Sequence, residues 1–278
     1  MSDKLDKHFE KIGADIVVTH HSRKPVGFGR RWTGSGFEAA TENPIAIMDI
    51  RTVKGKEVYV LSLRRDTNIE ANVVEVRPED RHLLLLVRST NEFGHTDNKE
   101  HFLCGHDERH FFVAGVKGVS TVNEAKDQLK PREILSKETG KASKRNRRKT
   151  ENFIRQGEWF FVPVEDPELD TLPIHKDEPI SRGRGSKDHV VSELVRKGGT
   201  KLNICSRFPD GLTDTQKEEA IAKNPNLAHL AWRTGVADAK VYARGEVKHS
   251  DHATITLKGW HRVYMNRETF RKSVRFID

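Results

Sequence analysis

Between residues 45 and 116 the chain writes one plan three times. "PIAIMDIRTV", the turn "KGK" and "EVYVLSLRR" come first, two β-branched and apolar arms around a glycine, which is the pattern of a hairpin. "ANVVEVRPEDRHLLLLVRS" repeats it with "RPED" at the tip, and "HFLCGHDERHFFVAGV" repeats it with "GHDER" at the tip. Arms rich in β-branched and aromatic residues suit a pleated, half-buried surface better than a helix. Three such units in succession predict an antiparallel sheet, open or curled into a barrel-like module. The units share no residue-level identity that would make them a repeat family.

Shorter elements surround this block. Leu5, Phe9 and Ile12 share one helical face, Gly13 can stop that helix, and "ADIVV" (14–18) follows as a strand. Residues 120–140 read as helix, with Thr121 and Glu124 as a capping box and a break at Pro131. "EWFFVPV" reads as a buried strand, and the acidic, proline-rich "EDPELDTLPIHKDEP" (165–179) as a linker. In 180–199 an Arg/Gly loop precedes a predicted helix, capped by Ser186 or Asp188, with Val190, Val191, Leu194 and Val195 inward and Gly198 at its end. "KLNIC" is a strand. A helix capped by Thr213 and Gln216 stops at Asn224–Pro225, and a second short helix is expected at about 226–234. The strands "AKVYARGEV", "ATITL" and "WHRVYM", with "KHSDH" and "KG" as turns, close the pattern.

The expected fold is therefore α+β: antiparallel β-hairpins with several short helices between β-rich segments. A hairpin module over 1–164 carries helix 120–136 and a basic tract at 141–155. A linker over 165–179 joins it to a smaller α+β segment over 180–278, either separate or packed on the first as one domain.

The 278 residues, 35% hydrophobic with thirteen Phe and four Trp, suffice for a sizeable core. Forty-nine Lys and Arg against 41 Asp and Glu leave a net charge of +8, which suits a polyanionic partner. Only two cysteines argue against a disulfide framework and fit a reducing compartment better. "MSDKLDKHFEKIG" has no apolar region of a secretory signal, and the longest apolar run, "LLLLV" (83–87), is far short of a membrane span. These features predict a cytoplasmic protein, or a nuclear one in a eukaryote, with no membrane partner.

The strongest functional signal is "KASKRNRRK" (141–149), where Lys141, Lys144, Arg145, Arg147, Arg148 and Lys149 occur without one acid. Such a tract neutralises phosphates and releases counterions. Arg155 extends it, Asn146, Asn152 and Gln156 can add polar contacts, and Phe153 or Trp159 can stack on a base. Two glycine-rich loops add Arg30, Arg31 and Trp32, and Arg182 and Arg184. The predicted partner is nucleic acid, with RNA favoured over DNA because sheets with aromatics and basic loops suit single strands and no helix carries a set of base-reading side chains. A subunit of a ribonucleoprotein, or of a mobile-element or phage-type machine working with other protein subunits, fits this reading. An interaction protein that docks an acidic partner is an alternative.

The rival from another class is a metal-dependent nuclease or other hydrolase. His106 and His110 in "HFLCGHDERHFFVAG" have the spacing of a zinc-protease helix, but Asp107 follows the first histidine where that motif needs Glu, and the aromatic flanks and Gly105 favour a turn. The candidate catalytic set is His106, Asp107 and His110. The candidate ligands for a divalent metal are Cys104, His106 and His110, joined by His249 and His252 if the "KHSDH" turn lies beside them.

Overall fold

The computed structural model describes residues 2–21, 31–33, 36–38, 44–65, 68–108, 110–181 and 187–268, with backbone alone for 2–3, 31–33 and 36–38. The chain divides into two compact units at Lys130–Pro131. The fold is rich in antiparallel strands with five short helices among the described residues, and none of its sheets is closed. Among the described residues no helix is long and apolar enough to cross a membrane.

The first unit begins with α1 (Ser2–Glu10) and β1 (Ile16–His21), followed by the short pair β2 (Arg31–Thr33) and β3 (Gly36–Glu38). The three predicted hairpins follow: β4 (Ala46–Val53) with β5 (Lys56–Arg64), β6 (Asn68–Arg77) with β7 (His82–Thr90), and β8 (Thr96–Asp107) with β9 (His110–Val116). They do not make one sheet. The first hairpin takes β1 in parallel beside β5, and the other two form the four-stranded meander β6-β7-β8-β9. At the first tip Lys54 and Gly55 both have positive φ, 51° and 78°, as a two-residue turn with the twist of its strands requires.

One core joins these sheets: Leu5 and Phe9 of α1 meet Tyr59, Leu61, Leu83, Leu85 and Phe102. A second lies on the other face of the meander, where Leu84, Leu103 and Ala114 meet Val122, Ala125 and Leu129 of α2 (Val122–Leu129). The run "LLLLV" is apolar at every position because both faces of β7 are covered. The capping box forms as read, with Thr121 Oγ1 accepting from the Glu124 amide and the Glu124 carboxylate accepting from the Thr121 amide.

The second unit starts with α3 (Arg132–Leu135) and α4 (Ala142–Arg145), then β10 (Ile154–Gln156) and β11 (Trp159–Pro163). The strands β12 (His175–Ile180), β13 (His189–Lys197), β14 (Thr200–Cys205) and β15 (Phe208–Leu212), the helix α5 (Asp214–Lys223), and β16 (Arg233–Ala237), β17 (Lys240–Lys248) and β18 (Ile255–Met265) complete it. Six strands form the sheet β10-β11-β18-β17-β13-β12, and three form β15-β14-β16.

Four expectations change here. The segment after Asp188 is β13, not a helix. Its pairing with β17 shifts register between Val191 and Glu193, where two steps along β13 face three along β17, and the residues packed in the main core of this sheet, Val191 and Leu194, stand three apart as on a helix. Val195 is buried on the opposite face with Leu169, Tyr242 and Trp260, so the strand is apolar on both sides. The 165–179 segment lies inside the second unit. Leu169 is fully buried, and His175–Ile180 is an edge strand, where Pro179 and a row of charges are tolerated because one side has no ladder to satisfy. "KG" is not a turn: Lys258 and Gly259 continue β18 through an irregularity in its pairing with β17, with Gly259 at φ 75°. The second short helix is a 3-10 turn, Pro225–His229, followed by β16.

Candidate functional site

The basic tract is a folded turn, not a loose linker. Lys144 and Arg145 amides donate to the Lys141 carbonyl, Asn146 to Ala142, and Arg155 to Arg148 at 2.7 Å, while Lys149 bridges Ile154. The Thr150 hydroxyl accepts the Asn152 and Phe153 amides, both at 3.2 Å. Beneath this turn Phe153 is buried with Ile134, Phe160 and Val162. Phe153 and Trp159 are therefore core residues, and neither offers a ring face to a base.

The side chains of the tract sort into two groups. Arg145, Arg148 and Arg155 are half-buried and bonded within the protein, Arg145 to the Gly140 carbonyl at 3.1 Å. Lys141, Lys144, Arg147 and Lys149 are exposed, and among the described residues none of the four enters an ion pair or a side-chain hydrogen bond. Some other cations of this unit are neutralised, Lys197 and Arg244 among them. Lys197 lies 2.7 Å from both Asp166 and Glu168, and Arg244 lies 2.6 Å from Glu193 and 2.8 Å from Asp170. The hydrogen bonds to those acids raise the Lys197 ammonium above its ordinary value and Lys197 holds the Asp166 carboxyl below its own. Lys141, Lys144, Arg147 and Lys149 have no such carboxylate partner among the described residues. Of the loop residues, Arg31 and Trp32 lie on β2, while Arg30, Arg182 and Arg184 lie outside the described residues.

The third hairpin is tighter than expected. Gly105, His106 and Asp107 belong to β8, and β9 already begins at His110. His106 pairs with Phe111, and Asp107 with His110, so the pleat turns His106 and His110 to opposite faces. The four-residue spacing that would align them on a helix separates them on a hairpin. His106 accepts from Arg81 at 3.1 Å and bonds the Ile12 carbonyl, and burial together with Arg81 lowers its pKa. His110 Nδ1 lies 2.9 Å from Glu57, and Asp107 is buried. Cys104 is fully buried in the core, and burial pushes its thiol up, against the thiolate a metal would need. Gly105 is a packing glycine: a Cβ there would meet the His82 ring at 2.6 Å.

His249 and His252 find a different neighbour. The pairing of Val190 with Lys248 carries on past the strand ends and sets His189, the first residue of β13, beside the turn that holds the other two. Among the described residues the group His189, His249 and His252 has its ligand atoms within 4.8 Å of one another. The rings are stacked, His189 on His249 at 4.1 Å and His249 on His252 at 4.7 Å between centroids. His189 is 1% exposed, and neither ring nitrogen has a hydrogen-bond partner. Burial, then the two neighbouring imidazoles, push its pKa down to about 3, so it is neutral near pH 7. Gln156 holds the turn: its side-chain amide donates to the carbonyls of Val247 (3.3 Å) and Ala253 (2.6 Å), on either side of the two histidines. His189 is absent from the sequence-derived set because "DHVVSELV" read as a helix. Its signal was a histidine opening a run of β-branched residues.

Compared with known proteins, the chain matches no family model, no curated protein and no solved structure.

Proposed function

We propose that this protein binds nucleic acid, RNA in preference to DNA, through the folded turn 141–149. One observation carries the reading: Lys141, Lys144, Arg147 and Lys149 stand exposed on an ordered turn with no acid paired to them. A preformed row of unneutralised cations meets a phosphate backbone without first breaking internal ion pairs, and each contact releases counterions. Arg145, Arg148 and Arg155 stiffen the turn from below.

RNA is favoured because the longest described helix, α5, has ten residues and carries Asp214, Glu218 and Glu219, a poor surface for a DNA groove. Cytoplasmic action fits the two free, buried cysteines.

Fluorescence anisotropy with labelled single-stranded RNA, single-stranded DNA and duplex DNA tests the proposal. The expected result is tightest binding to RNA and loss of that binding when Lys141, Lys144, Arg147 and Lys149 are all changed to Ala. An unchanged affinity of this variant at low salt refutes the turn as the binding surface. Capture of an acidic protein that survives nuclease treatment marks the turn as a protein-docking surface instead.

A further inference from the structure

We infer that His189, His249 and His252 form a binding site for a divalent transition-metal ion of the zinc class, with three imidazole ligands and a fourth position open to water or a small ligand. The inference does not depend on nucleic-acid binding.

Three observations converge on it. The ligand atoms already lie within 4.8 Å of one another. A tetrahedral ion about 2.0–2.1 Å from each nitrogen needs its donors roughly 3.3 Å apart, so modest ring rotations bring them to coordinating distance. His189 is buried with both nitrogens unbonded, which is rare for a polar side chain in a folded interior; a Lewis acid at the cluster would supply the missing partner. The backbone also leaves room: a Cβ at Gly157 would sit 3.0 Å from His252 Nε2 and 3.2 Å from His189 Nε2. The two nitrogens thus face the same point, at a residue whose φ of 57° suits glycine.

The donor set selects the ion. Three imidazoles without thiolate favour zinc, cobalt, nickel or copper over magnesium and calcium, which need oxygen ligands. The nearby carboxylate, Asp251, is held by Lys187 through both oxygens at 2.7 and 2.8 Å. His249 has hydrogen bonds to the Asp251 amide, which donates to its Nδ1 at 3.1 Å, and to the Lys187 backbone. Ligation through Nδ1 exchanges the Asp251 bond for the metal, while the other ring nitrogen keeps its proton, donates to the Lys187 backbone and orients the ring, as outer-shell contacts of metal-bound histidines do. His249 and His252 are half-exposed, so an ion has a path from solvent.

The test uses the full, untagged chain, freed of metal by chelation and titrated with Co2+. The expected result is a visible tetrahedral absorption that saturates at one equivalent and is displaced by Zn2+. His189→Ala, His249→Ala and His252→Ala should each abolish the band and weaken Zn2+ binding by more than the roughly ten- to hundredfold that losing an outer-shell partner costs. His249→Ala and His252→Ala change half-exposed positions, so the test stands even if His189→Ala does not fold, which circular dichroism reports. Absence of the band together with no Zn2+ retained after dialysis overturns the proposal. So does a band that persists in folded His249→Ala and His252→Ala variants, because the metal then sits elsewhere.

Discussion

The Tyr59 hydroxyl bonds Gly105 twice: it donates to the glycine carbonyl at 2.7 Å and accepts the glycine amide at 2.9 Å. This contact ties the central strand of the three-stranded sheet to the meander, deep in the core of the first unit. Burial raises the phenol pKa far above its ordinary value, so the hydroxyl keeps its proton. Tyr59→Phe leaves a buried amide and carbonyl short of a partner and is expected to cost about 1–3 kcal/mol. Urea denaturation of the two proteins measures it; equal midpoints refute the role.

Gly105→Ala is expected to destabilise the same unit by about 1–3 kcal/mol, because the new methyl meets the His82 ring at 2.6 Å. The added variant His82→Ala should recover part of the loss, because it removes the obstructing ring. A double-mutant cycle in thermal unfolding reads the coupling.

Phe153→Ala removes the anchor under the basic turn and is expected to cost about 3–5 kcal/mol. It alters no charge. If turn 141–149 binds RNA because it is preformed, this variant should bind RNA more weakly at low salt under conditions where circular dichroism shows it folded. Wild-type affinity in the folded variant would leave charge alone as the determinant.

Single replacements of Lys141, Lys144, Arg147 or Lys149 by Ala should each flatten the plot of log affinity against log salt, by roughly 0.7 for every single-strand phosphate left without its cation. Anisotropy titrations over a salt series give the slope. Lys217→Ala, made on α5, serves as the control and should leave it unchanged.

His261 makes the second unit sensitive to acid. It is 4% exposed, its Nδ1 donates to the Gly259 carbonyl at 2.9 Å, and burial holds its pKa below the usual 6.5. The unfolded chain therefore takes up this proton more readily than the folded one. The stabilising contribution is complete above about pH 6.5 and is lost as pH falls toward the folded value. His261→Asn keeps a donor and cannot charge, so its stability should decline less steeply on the acid side. Urea midpoints at a series of pH values check it; parallel curves would contradict the assignment.

Much of this architecture was legible in the chain because its causes are local. The hairpin tips at Lys54–Gly55 and Pro78–Asp80 and the capping boxes at Thr121 and Thr213 need only residues a few positions apart. The exposure of the basic tract follows from its density of charge, which resists burial. Where the sequence misled, a distant partner had decided the outcome. β13 is a strand because β17 and β12 flank it, and at the register shift against β17 its core residues Val191 and Leu194 stand at a helix-like spacing. Gly105 reads as a turn glycine until Tyr59 and His82 close on it from two other strands.

The histidines show the same division. In sequence His106 and His110 make a pair, yet the pleat of a hairpin turns them to opposite faces. His189 stands sixty positions before His249, with nothing local to link them, yet strand register stacks their rings at 4.1 Å. Residue types and short-range spacing thus determined the strands' period, the turns, the caps and the charge. Only the tertiary structure decided which side chains meet, because pairing register and the packing of both sheet faces are set by residues far apart in the chain.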